Sequence, residues 1–280
     1  MTRIGYIGTP SGSTYETLSA RKDARITLKM TSSEALVGDG LDPQAIDAAV
    51  INTDSESTVE LAAKIAGKRI PIYVSPPVSA DPGVVDAVLS GLAELDVLTA
   101  VASPFRYAIN LTQARMSALQ LGLRGVSIHA WSTGNQNDDI YQACDMLRYV
   151  SGDELDHVHS ESGTGTTATL FRTTRGVPAT LTWHTGCNAS DLTVELVAGS
   201  QRFTWSANDR RIYIDGENRW SVTEKIEGLA VADIAAFITA IRTGSRSPIR
   251  CTWDDAARIT QLASGIHRKR NGMETSGQPS

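Results

Sequence analysis

Residues 5–16, with the sequence GYIGTPSGSTYE, have the residue types and spacing to bind an anion. A short apolar strand runs into a turn of glycine, serine and threonine, and a helical segment follows. Such a turn can bring backbone amides and the positive end of a helix to the pyrophosphate of a dinucleotide. The candidate contact residues are Gly8, Thr9, Ser11, Gly12 and Ser13. The segment is therefore a candidate phosphate-binding loop.

Two features of the same segment oppose phosphate binding. Pro10 removes an amide donor from the turn and adds a ring to it. The run from Ser13 to Glu16, STYE, is a capping-box pattern in which the serine and the glutamate satisfy the first turn of the helix. A carboxylate there would compete with a pyrophosphate for the positive helix end. The sequence thus predicts either an anion site or a helix end that Glu16 closes.

The elements around this loop alternate between strands and helices. Strand patterns cover 3–8, 24–30, 46–53 and 70–74, and helical segments separate them. Right-handed crossovers between such strands build a parallel, doubly wound sheet. After Arg106 the pattern changes to two helices, then alternating strands from 153 to about 222, then two closing helices. Turn signals at Gly176 and Gly199 predict hairpins within that strand-rich region.

These patterns predict an α/β domain followed by an α+β domain. We expect 1–104 to form a Rossmann, dinucleotide-binding-like domain. We expect 105–272 to form a second domain on a mostly antiparallel sheet. The polar residues 273–280 are predicted to be a disordered tail.

Composition and charge narrow the class of protein. The chain has 280 residues, of which 41% are hydrophobic and 20% charged, as in folded globular proteins. A net charge of −5 without a long basic run argues against a nucleic-acid partner. Neither a leader pattern nor an apolar run of about 20 residues is present, so we expect a cytoplasmic protein without membrane contact. The cysteines lack metal-ligand spacing, and we expect no metal site.

Three segments carry a resemblance to a known family. They are SPFRYAI (103–109), DMLRYVSGDELDHV (145–158) and DIAAFITAIRTGSRSPIRCTWDDAARITQLASGIHR (233–268). With the loop described above, they resemble the Gfo/Idh/MocA oxidoreductases along nearly the whole chain. The resemblance implies an NAD(P)-dependent oxidoreductase that acts on a small sugar-like or keto or hydroxy compound. It also implies that 105–272 is a substrate and oligomerisation domain with an open sheet, through which a homodimer or homotetramer forms.

The cofactor positions depart from the family's pattern, which makes this a divergent member. Of the three glycines in GxGxxG, Gly8 keeps the first place, whereas Pro10 and Ser13 stand in the second and third. Thr31 and Ser32 follow the second strand, where NAD-binding members carry an acid. The resemblance therefore favours NADP over NAD, with no bound dinucleotide as the remaining possibility. Thr53 keeps a family threonine, although Asp54 replaces the proline after it.

The catalytic positions depart further. The family's EKP motif aligns with Ser75, Pro76 and Pro77, which supply no ammonium group. The DxxxH motif aligns with Asp138 and Gln142, and a glutamine cannot titrate near neutral pH. The candidate catalytic residues that the resemblance implies are Asp138, Tyr141, Gln142 and Arg106. Arg106 matches the family's usual arginine, which could bind an anionic substrate or bridge the domains.

Several residues and three functions stay open. His184 and Asp139 are candidate substrate contacts, and an oligomer interface is the preferred interpretation for His184. His157 and His159 would share one face of a strand. A polar sheet face is the preferred interpretation of this pair, and a two-ligand metal site is the less favoured one. The first functional hypothesis is the divergent oxidoreductase. The alternatives are a cofactor-free isomerase, cyclase or lyase on the same scaffold, and a non-enzymatic sensor or partner protein.

Overall fold

The alternating segments at the start of the chain form a five-stranded parallel sheet. The computed structural model describes residues 1–38, 41–79, 81–133, 136–209, 211–221 and 226–270. The strands are β1 (Thr2–Gly8), β2 (Ala24–Met30), β3 (Ala48–Asn52), β4 (Ile72–Val74) and β5 (Thr99–Val101). Their order in the sheet is β2-β1-β3-β4-β5. Strand β3 is almost wholly buried because helices cover both faces of a parallel sheet.

Helices connect these strands. They are α1 (Ser13–Ser19), α2 (Ser32–Val37), α3 (Ser55–Gly67) and α4 (Pro82–Leu95), followed by a 3-10 turn at Pro104–Tyr107. Helix α4 begins at Pro82, which suits a first helical turn because its missing N–H would have no partner there. The predicted doubly wound sheet is confirmed.

The second half of the chain forms an eight-stranded, mostly antiparallel sheet. Its strands are β6 (Leu123–Trp131), β7 (Leu155–Gly163), β8 (Thr166–Thr173), β9 (Pro178–His184), β10 (Asp191–Ala198), β11 (Gln201–Ser206), β12 (Arg211–Ile214) and β13 (Glu217–Ser221). The order is β13-β12-β11-β10-β6-β9-β8-β7, with β6 and β9 parallel. Helices α5 (Ile109–Gln120) and α6 (Gln136–Ser151) pack on this sheet. The predicted fold class is confirmed.

Two further helices, α7 (Ile226–Thr243) and α8 (Trp253–Arg270), close the chain. The chain divides into two compact units, Met1–Tyr107 with Glu224–Thr260 and Ala108–Thr223 with Gln261–Ser280. This division differs from the predicted domain boundaries, which placed α7 and all of α8 in the second domain.

The physical reason for the difference is the apolar face of α7. Ile234, Phe237 and Ile238 are buried in one cluster with Ile4 and Tyr6 of the parallel sheet. The helix therefore completes the core of the first unit, although it follows the second sheet in the chain. The predicted disordered tail lies outside the described residues. Among those described, no helix is long and apolar enough to cross a bilayer.

Candidate dinucleotide site

The candidate site lies at the carboxyl edge of the parallel sheet. Strands β1, β2, β3 and β4 end there at Gly8, Met30, Asn52 and Val74. Chain connections leave β1 in one direction towards β2, whereas β3 and the later strands lie on its other side. Ligands of open α/β sheets bind at such a reversal of strand order. The loops after these four strands are therefore the candidate ligand-binding loops.

The loop after β1 leaves the start of α1 open. The N-cap residue is Gly12, with φ 84° and ψ 171°, and no side chain caps the helix. The first backbone bond runs from the Glu16 amide to the Gly12 carbonyl at 3.1 Å. The predicted Ser13–Glu16 capping box is wrong, because the helix begins one residue earlier and Ser13 already lies inside it. The first-turn amides of Ser13, Thr14 and Tyr15 thus have no side-chain cap.

Gly12 and Gly8 serve different purposes in this loop. The φ and ψ of Gly12 belong to a region that is nearly restricted to glycine, and a Cβ atom there would meet nothing within 4 Å. At Gly8, by contrast, a Cβ atom would lie 2.0 Å from the Asn52 carbonyl oxygen. Gly8 is therefore required for the close approach of β1 and β3, whereas Gly12 faces open space.

Thr9 and Ser11 form a tight turn between these glycines. The Thr9 carbonyl accepts the Ser11 amide at 2.7 Å and the Tyr6 hydroxyl at 3.2 Å. Thr9, Pro10 and Ser11 are exposed. The side-chain hydroxyl of Ser11 is accordingly placed on the surface of the candidate loop.

The loop after β2 holds an acid that the sequence analysis missed. Thr31 caps α2, and its hydroxyl accepts the Glu34 amide at 3.3 Å. One Glu34 carboxylate oxygen accepts the Thr31 amide at 2.8 Å and the Thr31 hydroxyl at 2.9 Å. The hydrogen bond from the Thr31 backbone amide makes the largest contribution to lowering the pKa of Glu34, and the bond from the Thr31 hydroxyl lowers it further. The capping box is T-x-x-E at 31–34, and it places an ionised carboxylate beside the end of β2.

Thr31 and Ser32 therefore lie beside a carboxylate, which the resemblance did not imply. The Thr31 hydroxyl is bonded to Glu34, and Ser32 is an exposed residue at the start of α2. A 2′-phosphate there would meet the negative charge of Glu34. No acid stands directly after β2, as the sequence showed, but Glu34 in the first turn of α2 brings a carboxylate to Thr31 that the NADP preference did not take into account.

The loop after β3 is ordered by its own hydrogen bonds. Asp54 caps α3 by accepting the Ser57 amide at 3.0 Å. The Thr53 and Thr58 hydroxyls lie 3.0 Å apart, and the Asn52 amide group donates to the Tyr6 hydroxyl at 2.8 Å. Asp54, which replaces the family's proline, has a helix-capping role.

The loop after β4 contains a polar atom without a partner. The Ser75 amide donates to the Ile51 carbonyl at 2.9 Å, whereas the buried Ser75 hydroxyl oxygen has no hydrogen-bond partner among the described residues. Buried hydroxyl groups are normally hydrogen-bonded. This orphaned hydroxyl, the open start of α1 and the ionised Glu34 together fit a dinucleotide at this edge.

In the second unit, the predicted site residues of α6 lie in different environments. Tyr141 is only 3% exposed and lies in the core, so its ring is a packing element. Asp139 and Gln142 are half-buried and three positions apart, which places them on neighbouring parts of the helix surface. The side chain of Asp138 is outside the described part of the structure.

Arg106 is held within the first unit. The residue is 4% exposed, and its Nη1 lies 3.4 Å from Asp255 Oδ2. The same nitrogen donates to the Arg250 carbonyl. These contacts give the guanidinium a structural role at the 3-10 turn, and they do not support the predicted substrate contact.

His184 lies on the open face of the second sheet. Its ring stacks on Trp131 with centroids 5.6 Å apart, and its Nδ1 lies 3.1 Å from the Thr166 hydroxyl. Trp183, the preceding residue, is buried, and neighbouring residues of a strand point to opposite faces. His184 is therefore not brought to the helix-covered face where α6 carries Asp139.

His157 and His159 do not share a face. A bulge in β7 lies between them, so His157 pairs with buried Phe171 and His159 with exposed Leu170. His157 Nε2 lies 2.8 Å from the Ser160 hydroxyl. The predicted common face is wrong, because the bulge inserts one residue into the alternation. Within the described ranges, no group of three His, Cys, Asp or Glu residues could hold a metal ion.

Comparison with solved structures defines the class of this fold. GenD2 from gentamicin A biosynthesis, in complex with NAD, is 15% identical with a TM-score of 0.79, covering 98% of this chain and 95% of its own. An oxidoreductase from Sinorhizobium meliloti is 17% identical with a TM-score of 0.80, covering 96% and 98%. UDP-N-acetylglucosamine 3-dehydrogenase GnnA from Acidithiobacillus ferrooxidans is 13% identical with a TM-score of 0.76, covering 95% and 96%.

These likenesses extend over almost the whole of each chain. The protein has the fold of Gfo/Idh/MocA-type dehydrogenases, which confirms the resemblance seen in the sequence at the level of fold. Neither a protein-family model nor a curated protein sequence matches the chain. Fold alone does not define a reaction, so the residues of the site must carry the functional argument.

Proposed function

We propose that this protein is an NAD-dependent oxidoreductase that acts on a small sugar-like, hydroxy or keto compound. The observation that carries the proposal is the uncapped start of α1 at the sheet's reversal point. Three first-turn amides and the helix dipole suit a pyrophosphate at that position. The carboxylate of Glu34 suits the ribose hydroxyls, as acids after the second strand do in this fold class.

Different groups of the chain would bind different parts of the dinucleotide. The amides of Ser13 to Tyr15 would hold the pyrophosphate, and the Ser75 hydroxyl would bind a polar group of the ligand. The nicotinamide, when bound, supplies the hydride acceptor or donor. Gln142 can orient a hydroxyl through its amide group, but it cannot act as a general acid or base.

Calorimetric titration of the purified protein with NADH and NADPH tests the cofactor assignment. We expect NADH to bind, and to bind more tightly than NADPH because Glu34 repels a 2′-phosphate. Absence of heat and of nicotinamide fluorescence change at about 1 mM of either dinucleotide would contradict the proposal.

Substitution Glu34→Gln should change the choice between the two dinucleotides. The amide oxygen of glutamine can still accept the Thr31 hydrogen bonds, so the α2 cap is kept while the charge is removed. We expect the ratio of NADPH to NADH affinity to rise about tenfold, which corresponds to about 1.4 kcal/mol. The measurement is calorimetric titration of both dinucleotides.

Substitution Glu16→Gln is the matched control for this charge change. Glu16 is exposed on α1 and does not follow β2. Removing its charge should alter the affinities for NADH and NADPH by the same factor, leaving their ratio unchanged. An equal change in the ratio of NADPH to NADH affinity for both variants would show that Glu34 does not distinguish a ribose 2′-hydroxyl from a 2′-phosphate.

A cofactor-free enzyme is the second candidate. It is favoured by the replacement of the family's lysine and histidine with Pro76 and Gln142, which removes the usual proton-transfer pair. Turnover of a hydroxy or keto substrate without added nicotinamide would support it. Binding of NADH with no turnover of a panel of sugar-like substrates would instead support the sensor hypothesis.

We also propose that the open face of the second sheet joins copies of the chain into a homodimer or homotetramer. His129, Trp131 and His184 form a continuous stack there, with centroid distances of 6.1 and 5.6 Å. An aromatic group amid short threonine side chains suits a flat interface, since tryptophan is enriched in interface cores.

Thr182→Arg should weaken this association. Thr182 pairs with His129 in the register of β9 and β6, close to the aromatic stack. In a two-fold interface the new charge would meet its own copy, so we expect a shift from dimer towards monomer in light scattering after gel filtration. Met116→Arg, at an exposed position of α5, is the control and should leave the mass unchanged. Equal masses for wild type and Thr182→Arg would contradict the proposed interface.

A further inference from the structure

A groove with a cationic rim runs beside β2 in the first unit. It has a volume of about 390 Å³ and is lined by residues of α1, the turn after it and β2. Leu18, Ala24 and Ile26 give it an apolar floor, and Tyr15 and Ser19 lie on its α1 side. We call this feature the β2 groove.

An irregularity in the pairing of β1 and β2 turns Lys29 into the β2 groove. Ile4 pairs with Ile26, but Gly5 pairs with Leu28, so Thr27 is skipped. Tyr6, which packs on the α1 side with Ile4, consequently pairs with Lys29. Lys29 therefore shares a face with Ile26, and its ammonium donates to the Tyr15 hydroxyl.

The cations of the β2 groove have few negative partners. Arg21 is paired with Asp23 at 2.7 Å. The side chains of Lys22 and Arg25 make neither a hydrogen bond nor an ion pair with other described residues. With Lys29, whose partner is a neutral hydroxyl, they concentrate positive charge on a chain with a net charge of −5. Such a concentration attracts an anion to the groove.

Protection of a sheet edge is the simplest alternative explanation of these charges, because lysines on edge strands prevent aggregation. It does not account for their placement. Lys22 precedes the strand, and Lys29 points over the α1 face of the sheet instead of along its open edge. Lys22, Arg25 and Lys29 line one groove with an apolar floor, and a concave surface that combines polar and apolar groups is typical of ligand sites.

We propose that the β2 groove binds an organic phosphate monoester with an apolar or aromatic body. A phosphate monoester carries a charge of about −1.5 to −2 at pH 7, which matches a rim of several cations better than a single charge would. The apolar body would rest on Leu18 and Ile26. The groove extends from Arg25, roughly 16 Å along the strand from Met30, to Lys29, so it adjoins the proposed dinucleotide site at one end and is centred away from it.

Calorimetric titration with phenyl phosphate tests the β2 groove, and substitution of its cations separates this binding from phosphate binding at the start of α1. We expect binding that is tighter than for inorganic phosphate, which lacks the ring, and for phenyl sulfate, which has less charge. The Lys22→Ala/Arg25→Ala variant should lose at least about tenfold in affinity. Ser19→Glu, which adds a carboxylate to the wall, should have the same effect.

The control variant is Arg172→Ala/Arg258→Ala, which changes the net charge equally at exposed positions outside the groove. It should bind phenyl phosphate as the wild type does, and so should Glu34→Gln, even if NADH fails to bind. Equal affinities for inorganic phosphate and phenyl phosphate would overturn the proposal. So would unchanged binding by Lys22→Ala/Arg25→Ala, or no binding at about 10 mM probe.

Discussion

Gly8→Ala should destabilise the first unit by about 3–5 kcal/mol, through backbone strain and a steric clash. Gly8 has φ 131°, which side chains rarely tolerate, and its added Cβ would lie 2.0 Å from the Asn52 carbonyl oxygen. That oxygen belongs to the backbone of β3, so neither strand can yield without breaking ladder bonds. We expect faster amide hydrogen exchange in β1 and β3, measured by mass spectrometry, and a lower urea midpoint.

Gly91→Ala is the matched control for this substitution. Gly91 lies inside α4, and a Cβ atom there would meet nothing within 4 Å. Alanine should stabilise the helix by about 0.5–1 kcal/mol. If Gly8→Ala exchanged as slowly as the wild type in β1 and β3, the close approach of the two strands would not restrict this position. The glycine would then have to be explained by a ligand.

The architecture could be predicted from the sequence because it follows from patterns spread over many residues. Strands of three to seven residues alternate with helices before Tyr107, and this periodicity survives a change at any one position. The hairpin at Gly176 could also be predicted, since its φ of 83° favours glycine. Features encoded redundantly are the ones that sequence patterns show.

The ends of the helices could not be predicted with the same success. The sequence around α1 offers two N-caps, Gly12 and Ser13, and the choice depends on the φ and ψ of a single residue. The box at Thr31 and Glu34 has the same pattern as the one proposed at Ser13 and Glu16, and it is the one that forms. A capping pattern therefore indicates a helix start within a residue or two, which is too coarse to place a ligand.

Packing between distant parts of the chain was the second feature that the sequence patterns did not predict. Nothing in the composition of α7 shows which sheet its apolar face covers, and its place in the chain favours the second. The bulge between His157 and His159 arises from pairing with β8 and leaves no mark in the sequence HVHSE. Both features depend on contacts between distant parts of the chain, which a local pattern does not contain.

Besides its apolar face, α7 is attached to the first unit by one buried carboxylate. Asp233 is 3% exposed, and its Oδ2 accepts the Ser103 amide at 2.8 Å and the Tyr73 hydroxyl at 3.1 Å. Burial, and then the neighbouring Asp233 charge, raise the pKa of Tyr73 well above its usual value. The phenol therefore stays protonated and remains a donor to Asp233.

Asp233→Ala should destabilise the first unit by about 2–5 kcal/mol, because two buried donors lose this acceptor. Asp233→Asn keeps one acceptor oxygen and should cost less. Segment-resolved hydrogen exchange is the appropriate measurement, since it reports on α7 and β4 without assuming that both units unfold together. The expected result is faster exchange in both elements, while β10 of the second sheet changes little.

A double-mutant cycle with Tyr73→Phe separates the hydrogen bond from general packing. Phenylalanine alone removes one donor and should cost about 1 kcal/mol. In the Asp233→Ala background the same change removes a donor that has already lost this acceptor, so its cost should fall towards zero. Additive costs would show that Tyr73 and Asp233 act independently, and the attachment of α7 would then rest on the apolar packing of Phe237 and Ile238 alone.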